Sequence, residues 1–320
     1  MDTMKAAQHE AYGSAEVLKT RQLPLPALKP GHALVRVAAS SVNGVDITIR
    51  SGRLKMLTGK HFPKGTGRDF AGEVVAIDPA ETVFKVGDPV WGFIEGFEQS
   101  PSAAAAEYVL APFGGLALRP RTIDAIGAAA LSGAAAAALG VLRDAAKVRE
   151  GDRVLIRGAN GGVGVAAIQI AKVMGAHVTA LVSTADQIAQ AQAIGADVAF
   201  DYHKLQPRKL GRFDVVFDPV GRGMSPFRRL LDKDGVMACV AVPGPGDIAY
   251  ILFSNIYGSR RVRFVRMPPT GKLLGELTPY VDEHGVKPVI DSEYTLDTIA
   301  DAHRSLERSG GFGKRVVRSV

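Results

Sequence analysis

Apolar and polar positions change rhythm near Ile123. Before it, short apolar runs are separated by glycine and proline turns. His32–Ala39 reads as a strand behind the Pro30-Gly31 turn, and Gly72–Ile77 as a second. The stretch from Val83 to Phe93 holds a third, entered through Lys85-Val86-Gly87-Asp88, and Ala106–Leu110 is a fourth. Short strands with such turns predict a small, barrel-like β domain.

From Ile123 onward, helical and strand patterns alternate. Helices are predicted over Ala125–Ala146, Val163–Met174 and Asp186–Ile194, with Gly175 and Gly195 closing the last two. Strands are predicted at Asp152–Arg157, His177–Val182, Asp197–Phe200, Phe213–Asp218, Gly235–Val242 and Arg261–Arg266. This alternation predicts βαβ units and a parallel sheet. The tail, from Thr270, holds an amphipathic helix around Leu273–His284, a strand-like Lys287–Ile290 and a helix over Leu296–Ser309. The final strand, Gly313–Val317, is expected to join the β domain, because the parallel sheet already has six strands.

Composition removes several classes. The chain has 320 residues, enough for about two domains. Its 22% charged and 47% apolar residues are ordinary for a globular protein. The single cysteine, Cys239, excludes an intrachain disulfide framework and a Cys₄ or Cys₃His zinc site. It lies in a predicted buried strand and reads as a small core residue. The net charge of +7 admits nucleic acid or anionic small molecules as partners. The densest basic cluster, Arg260–Arg266, alternates with apolar residues and reads as a strand face, so nucleic acid is not expected. The Ala-rich run Ala125–Leu142 is only weakly hydrophobic and reads as a buried helix, not a membrane span. No targeting segment is seen, and the expected location is cytoplasmic.

The strongest local signal is Arg157-Gly158-Ala159-Asn160-Gly161-Gly162-Val163-Gly164, between a buried strand and a helix. That is the context in which a dinucleotide fingerprint works, here with Ala159 at the first glycine position. Gly161 lets backbone approach a pyrophosphate, and Gly164 lets helix and strand pack closely. The helix start supplies N–H donors. No carboxylate ends the strand at Val182. Ser183 and Thr184 follow, two hydroxyls able to donate to a 2′-phosphate, which favours NADP(H) over NAD(H). Asp186 and Gln187 stand where a phosphate clamp often carries a base, so a basic group from a distant segment has to help.

Further motifs follow in order along the chain. They are Ser41–Asp46, Ile49–Gly52, Gly67–Val74, Val86–Gly92, Ala106–Tyr108, the glycine loop, Gly195–Asp197 and Phe213–Asp218. Together they resemble the medium-chain dehydrogenase/reductase superfamily, in its zinc-free quinone oxidoreductase-like branch, over nearly the whole chain. The resemblance implies an α/β fold. A discontinuous GroES-like, β-rich catalytic domain (residues 1–122 and 270–320) would be interrupted by a doubly wound Rossmann NADP-binding domain (residues 123–269). The active site would lie in the cleft between them.

In zinc-dependent relatives a cysteine and a histidine of the first domain hold the metal. Those positions here look like Asn43 and Arg68, and neither amide nor guanidinium is a zinc ligand, so no metal is expected. Without a Lewis acid the resemblance implies hydride transfer from NADPH to an activated acceptor, a quinone or an α,β-unsaturated carbonyl. The expected catalytic residues are Asn43, Asp46 and Arg68. Asn43 would donate to the acceptor oxygen or cap a turn. Asp46 would order the loop more than shuttle protons. Arg68 would face an enolate or pair with Asp69 or Asp46.

The expected cofactor residues are Ala159, Asn160, Gly161, Gly162, Val163 and Gly164 in the loop, Ser183 and Thr184 at the ribose, and Tyr202 at the adenine edge. Val240, Ala241, Val242, Val265, Arg266 and Met267 match segments lining the nicotinamide pocket or plain strand core. Lys314 sits where relatives place a base near the pyrophosphate. Two departures matter: Leu54 stands where many relatives carry a tyrosine, and Ala135 where they often carry a threonine. These leave an enoyl-thioester reductase and a noncatalytic NADPH-binding sensor or adaptor as alternatives. The family often pairs its Rossmann domains, so a homodimer is one expectation.

Overall fold

The structure, a computed structural model, describes residues 2–95, 102–241, 244–256, 260–308 and 310–319. The chain begins with β1 (Thr3–His9), β2 (Leu18–Pro24) and β3 (His32–Val42), then α1 (Gly44–Arg50) and α2 (Lys55–Thr58). Next come β4 (Lys64–Gly65), β5 (Asp69–Ile77), β6 (Pro89–Phe93), β7 (Tyr108–Pro112) and β8 (Leu116–Leu118). Helix α3 (Ala125–Gly140) leads into β9 (Arg153–Ile156), α4 (Gly162–Val173), β10 (His177–Val182), α5 (Asp186–Ala193) and β11 (Val198–Asp201). The parallel-sheet region closes with β12 (Phe213–Asp218), α6 (Ser225–Arg228), β13 (Leu231–Cys239), α7 (Pro245–Ile256) and β14 (Arg261–Phe264). The tail is α8 (Gly271–Asp282), β15 (Ile290–Thr295), α9 (Ile299–Glu307) and β16 (Lys314–Arg318).

These elements form two compact units, Met1–Gly133 with Pro269–Val320, and Ala134–Pro268. The division therefore falls inside α3, eleven residues beyond the expected Thr122/Ile123 boundary. The first half of α3 is drawn against the first unit by its glycines. A Cβ on Gly127 would meet Pro288 at 2.8 Å, and one on Gly133 would meet Asp69 Oδ1 at 2.1 Å and Phe93 at 3.0 Å. The helical run Ala125–Ala145 is long and apolar enough to cross a membrane, but 83% of its apolar window is buried inside the protein.

The first unit is β-rich. One sheet runs β15-β16-β3-β5-β6-β8, with β7 also paired to β3, and a second runs β2-β1-β4. Inward side chains of β3, β5, β6 and β7 (Val35, Val37, Phe70, Val74, Val90 and Val109) form its core. The C-terminal strand β16 does enter this sheet, antiparallel to β3. The strand expected over Lys287–Ile290 lies instead at Ile290–Thr295. It is an edge strand with alternating exposure, so polar Asp291, Ser292 and Glu293 are tolerated in it. The β1–β2 pair, Thr3↔Pro24 through His9↔Leu18, has no counterpart in the sequence-based expectation.

The second unit carries a six-stranded, all-parallel sheet in the order β11-β10-β9-β12-β13-β14. The order reverses between β9 and β12, the switch point at which doubly wound sheets bind ligands beyond the carboxyl ends of their strands. Leu155, Leu181, Val216, Met237, Cys239 and Val262 pack the core. Cys239 is fully buried and its thiol faces the Ala241 carbonyl at 3.6 Å. Burial and the nearby Asp218 push the thiol pKa up to about 12, so it is no nucleophile.

Candidate functional site

The glycine loop leaves β9 at the switch point and turns straight into α4. Gly158 takes a left-handed φ of 53°, and the Ala159 N–H is tied to the Leu181 carbonyl at 2.9 Å. Ala159 is fully buried and shapes the turn, whereas Asn160, Gly161, Gly162 and Val163 are partly exposed. The two fingerprint glycines differ in what they answer to. A Cβ on Gly164 would strike Gly158 O at 2.3 Å and Ala159 Cα at 2.7 Å, so the protein itself requires glycine there. A Cβ on Gly161 would meet only Gly158 O, at an ordinary 3.5 Å, and its φ of −78° suits any residue. Nothing in the folded chain demands glycine at 161. The open space there leaves room for a group such as a pyrophosphate at the N-terminal turn of α4, whose first N–H groups lack intrahelical acceptors.

At the end of β10 the hydroxyls are less free than their sequence implies. Ser183 donates from both N and Oγ to Gln187 Oε1, at 3.0 and 2.9 Å. Gln187 is 2% exposed, so this amide fixes the serine from inside. Thr184 stays partly exposed beside it. The Val182↔Asp201 register and a 3.0 Å bond from Tyr202 N to Val182 O place the turn after β11 alongside. Tyr202 is exposed there and stacks on His203, with centroids 4.0 Å apart. Lys204, which the sequence reading did not single out, follows with its ammonium 77% exposed and 3.9 Å from Asp201.

The expected nicotinamide-lining segments follow the carboxyl ends of β13 and β14. Val240 N bonds Asp218 O at 3.0 Å, and Val265 N bonds Cys239 O at 2.8 Å. Val240, Ala241, Val265 and Met267 are partly exposed, and Arg266 is exposed. Val242 lies outside the described residues.

In the first unit, strand register assembles a polar cluster. Arg315 pairs with Val42 across β16 and β3, and Ser41 with Asp69 across β3 and β5. Lys314, Asn43 and Asp69 thereby come together at one end of three adjacent strands. Asp69 is fully buried, and its Oδ2 accepts from Ser41 Oγ at 2.5 Å, Asn43 Nδ2 at 2.7 Å and Lys314 Nζ at 3.0 Å. Lys314 Nζ also donates to Asn43 Oδ1 at 2.7 Å. Lys314, expected near the pyrophosphate, is engaged here by Asn43 and Asp69. Its ammonium is 6% exposed, and a buried cation needs a counter-charge, which Asp69 supplies. Ser41 was not singled out from sequence, and Asp69 only as a possible partner of Arg68, because a partner 245 residues away leaves no local signal.

Asp46 and Arg68 complete the cluster. Asp46 Oδ2 accepts the Asn43 N–H at 2.8 Å, holding the start of α1, and Arg68 Nε lies 3.9 Å from Asp46 Oδ1. Burial pushes the Asp46 carboxyl up to about 6, with Arg68 opposing and Asp69 assisting. Arg68 also donates to the Ile94 carbonyl at 3.0 Å. Ala135 is fully buried and Leu54 partly exposed. A phenol does stand beside the Leu54 loop. The Tyr12 ring packs on Gly52, and its hydroxyl bonds Thr58 Oγ1 at 2.7 Å and the Gly59 carbonyl, so it braces that loop.

Residues 29–121 match the family model described as an alcohol dehydrogenase GroES-like domain, and residues 194–317 the model described as a zinc-binding dehydrogenase. The donor set does not fit zinc. The positions in question are a carboxamide, whose oxygen is held by an ammonium, and a guanidinium. Among the described residues no group of three or more His, Cys, Asp and Glu could hold a metal. A 2-methylene-furan-3-one reductase of Solanum lycopersicum is 32% identical over 99% of this chain and 79% of its own. An NADPH-dependent alkenal/one oxidoreductase of Arabidopsis thaliana, a chloroplastic protein, is 32% identical over 99% and 80%. The solved quinone oxidoreductase of Coxiella burnetii superposes with a TM-score of 0.88 at 28% identity, covering 99% of both chains. Identity at this level along the whole chain, with the glycine loop and the metal-free polar cluster in place, shows that the protein belongs to the medium-chain dehydrogenase/reductase superfamily, in its zinc-independent quinone oxidoreductase-like branch.

Proposed function

We infer that the protein is an NADPH-dependent reductase of small quinones and α,β-unsaturated carbonyls that works without a metal. The observation that carries this reading is the Asn43 cluster. Where a zinc ion would polarise a substrate oxygen, this chain presents a carboxamide backed by a buried ammonium. Such a group stabilises negative charge developing on an enone or quinone oxygen, but it does not ionise an alcohol as a Lewis acid does. The activities named for the tomato, Arabidopsis and Coxiella relatives support the same substrate class.

When bound, NADPH supplies a hydride from its nicotinamide. The chain's own residues do the rest. Gly161, Gly162 and Val163 offer backbone to the pyrophosphate. Thr184, Tyr202 and Lys204 surround the adenosine end. Asn43 donates a hydrogen bond to the acceptor oxygen, and Asp46 fixes the backbone on which Asn43 sits. With Leu54 in place of a phenol, the proton for the reduced acceptor comes from water. Mixing the protein with NADPH and a panel of quinones and enones, followed at the nicotinamide absorbance, tests the reading. Tight NADPH binding with no turnover of any acceptor would leave a noncatalytic sensor or adaptor. Faster turnover of crotonyl-CoA than of every small acceptor would make it an enoyl-thioester reductase.

A cytoplasmic location, with no membrane or nucleic-acid partner, belongs to the same proposal, as does a homodimer. The burial of the long apolar helix argues against its spanning a membrane. Exposed Ile248, Leu252 and Ile256, one turn apart on α7, support the dimer. Sedimentation at micromolar concentration tests the dimer, and imaging of a fluorescent fusion tests the location.

A further inference from the structure

We propose that Lys314 and Asp69 are positioning residues that lock the Asn43 carboxamide so that one N–H stays free as a fixed donor to the acceptor oxygen. The inference rests on the reductase reading and goes beyond it in saying what sets the donor.

A carboxamide has two ends of similar shape and opposite hydrogen-bonding sense, and free in solution it turns either one toward a substrate. Here the neighbours tell the ends apart. The Lys314 ammonium faces Oδ1 at 2.7 Å, and the Asp69 carboxylate faces Nδ2 at 2.7 Å. Turning the amide over would set NH₂ against an ammonium and C=O against a carboxylate, two repulsions in a buried site. The ammonium and carboxylate also hold each other, at 3.0 Å, so the three groups close a triangle. Ser41 Oγ adds a third donor to the same Asp69 oxygen and keeps that corner still. Each group comes from a neighbouring strand whose register is fixed by backbone pairing.

One Nδ2 hydrogen is spent on Asp69. The other has no partner among the described residues, and Asn43 is partly exposed while Asp69 and Lys314 are buried. The cluster therefore leaves one amide hydrogen of known sense without a partner among the described residues. The ammonium on Oδ1 draws charge from the amide and strengthens that N–H as a donor. A donor aimed before the reaction begins costs no reorganisation as charge moves onto the oxygen.

The test is a double-mutant cycle on the full-length enzyme with 3-buten-2-one and 1,2-naphthoquinone as acceptors. NADPH dissociation constants are measured in parallel by fluorescence. Asn43→Ala and Lys314→Met are each expected to lower kcat by about 10- to 100-fold, with NADPH affinity held within about twofold. The double variant should be no slower than Asn43→Ala by more than about twofold, since both remove one donor. Asp69→Asn keeps the side-chain size and gives the same readout if Lys314→Met does not fold. Multiplicative loss in the double variant overturns the proposal. So does a Lys314→Met enzyme whose kcat is unchanged while NADPH affinity drops about tenfold, which would make the ammonium a cofactor ligand. A wild-type enzyme that binds NADPH but reduces neither acceptor, nor any of the wider panel, removes the reductase reading itself, and the positioning role with it.

Discussion

Arg157 and Asp218 form a buried ion pair, NH1 to Oδ2 at 2.7 Å, that joins the last residue before the glycine loop to the end of β12. Asp218 Oδ1 accepts the N–H groups of Val220 and Gly221, and Arg157 NH2 donates to the Arg222 carbonyl. The guanidinium also lies over the Phe227 ring, 4.1 Å from its centroid. Burial lowers the Arg157 pKa and raises that of Asp218, so each charge is held at a cost that its partner only partly offsets. Removing one partner therefore leaves the other charge buried and unpaired. Arg157→Met and Asp218→Asn are each expected to lose about 3–5 kcal/mol of stability, and the double variant clearly less than their sum. Urea denaturation of the four proteins measures this, and additive losses would show that the pair acts as two independent groups.

The two glycines of the loop should fail in different ways. Gly161→Ala introduces a methyl the protein can hold, so its melting temperature is expected within about 2 °C of wild type while NADPH affinity falls at least about tenfold. Gly164→Ala forces the methyl into Gly158 and Ala159, and should cost about 1–3 kcal/mol before any cofactor is added. Thermal melts with and without NADPH separate the two. A Gly161→Ala protein that binds NADPH normally would remove the pyrophosphate from that turn.

Stability should fall in mild acid. His303 is 1% exposed, with Nδ1 unpartnered, and burial plus the charges of Arg50 and His9 push its pKa down to about 3. The unfolded chain takes up that proton below about pH 6.5 and the folded one does not, so stability is lost as pH drops from 6.5 toward 3. Asp46 acts in the opposite sense. Its folded pKa of about 6 lies above the ordinary 3.8, so its contribution is gained as pH falls from 6 to 4. Between pH 6.5 and 4 linkage takes about 3 kcal/mol through the histidine and returns slightly less through the aspartate, so the net decline is small. His303→Leu should flatten the decline between pH 6.5 and 4, and Asp46→Asn should steepen it. Denaturant midpoints across this range decide both.

Lys204 should set cofactor preference. Its exposed ammonium follows Tyr202 and His203 in the turn beside Ser183. Lys204→Ala is expected to weaken NADPH binding by about 3- to 10-fold and leave NADH binding unchanged, as for a cation that meets only a 2′-phosphate. Equal losses with both nucleotides would assign Lys204 a merely structural effect.

The parts of this protein that could be read in advance are those whose cause is local. The parallel strands Val154–Ile156 and Val178–Val182 are apolar apart from Thr179, as strands of a covered parallel sheet are, and the glycine loop sits between them. Strand β1 was missed because Lys5 and Gln8 interrupt a pattern carried mostly by alanine. The edge strand β15 was displaced because polar side chains on an exposed edge do not look like a strand. At the candidate site, Asn43, Asp46 and Arg68 were named from motif position, and the structure brings them into one polar cluster. The Gln187 amide beneath Ser183 and the pairing of β16 with β3 that brings Lys314 to Asp69 depend on distant neighbours and leave no local signal.

That last pairing dictates the order in which the molecule can be made. Every residue of the parallel-sheet unit leaves the ribosome before Lys314 does. This unit can therefore close and begin to hold a nucleotide while the other sheet still lacks β16 between β15 and β3. Until then Asp69 has no ammonium and the Asn43 amide is free to turn. A nascent chain stalled before residue 314 is therefore expected to bind NADPH on its finished unit and to reduce acceptors at least about 10-fold more slowly than the full chain, which measures what the last strand adds.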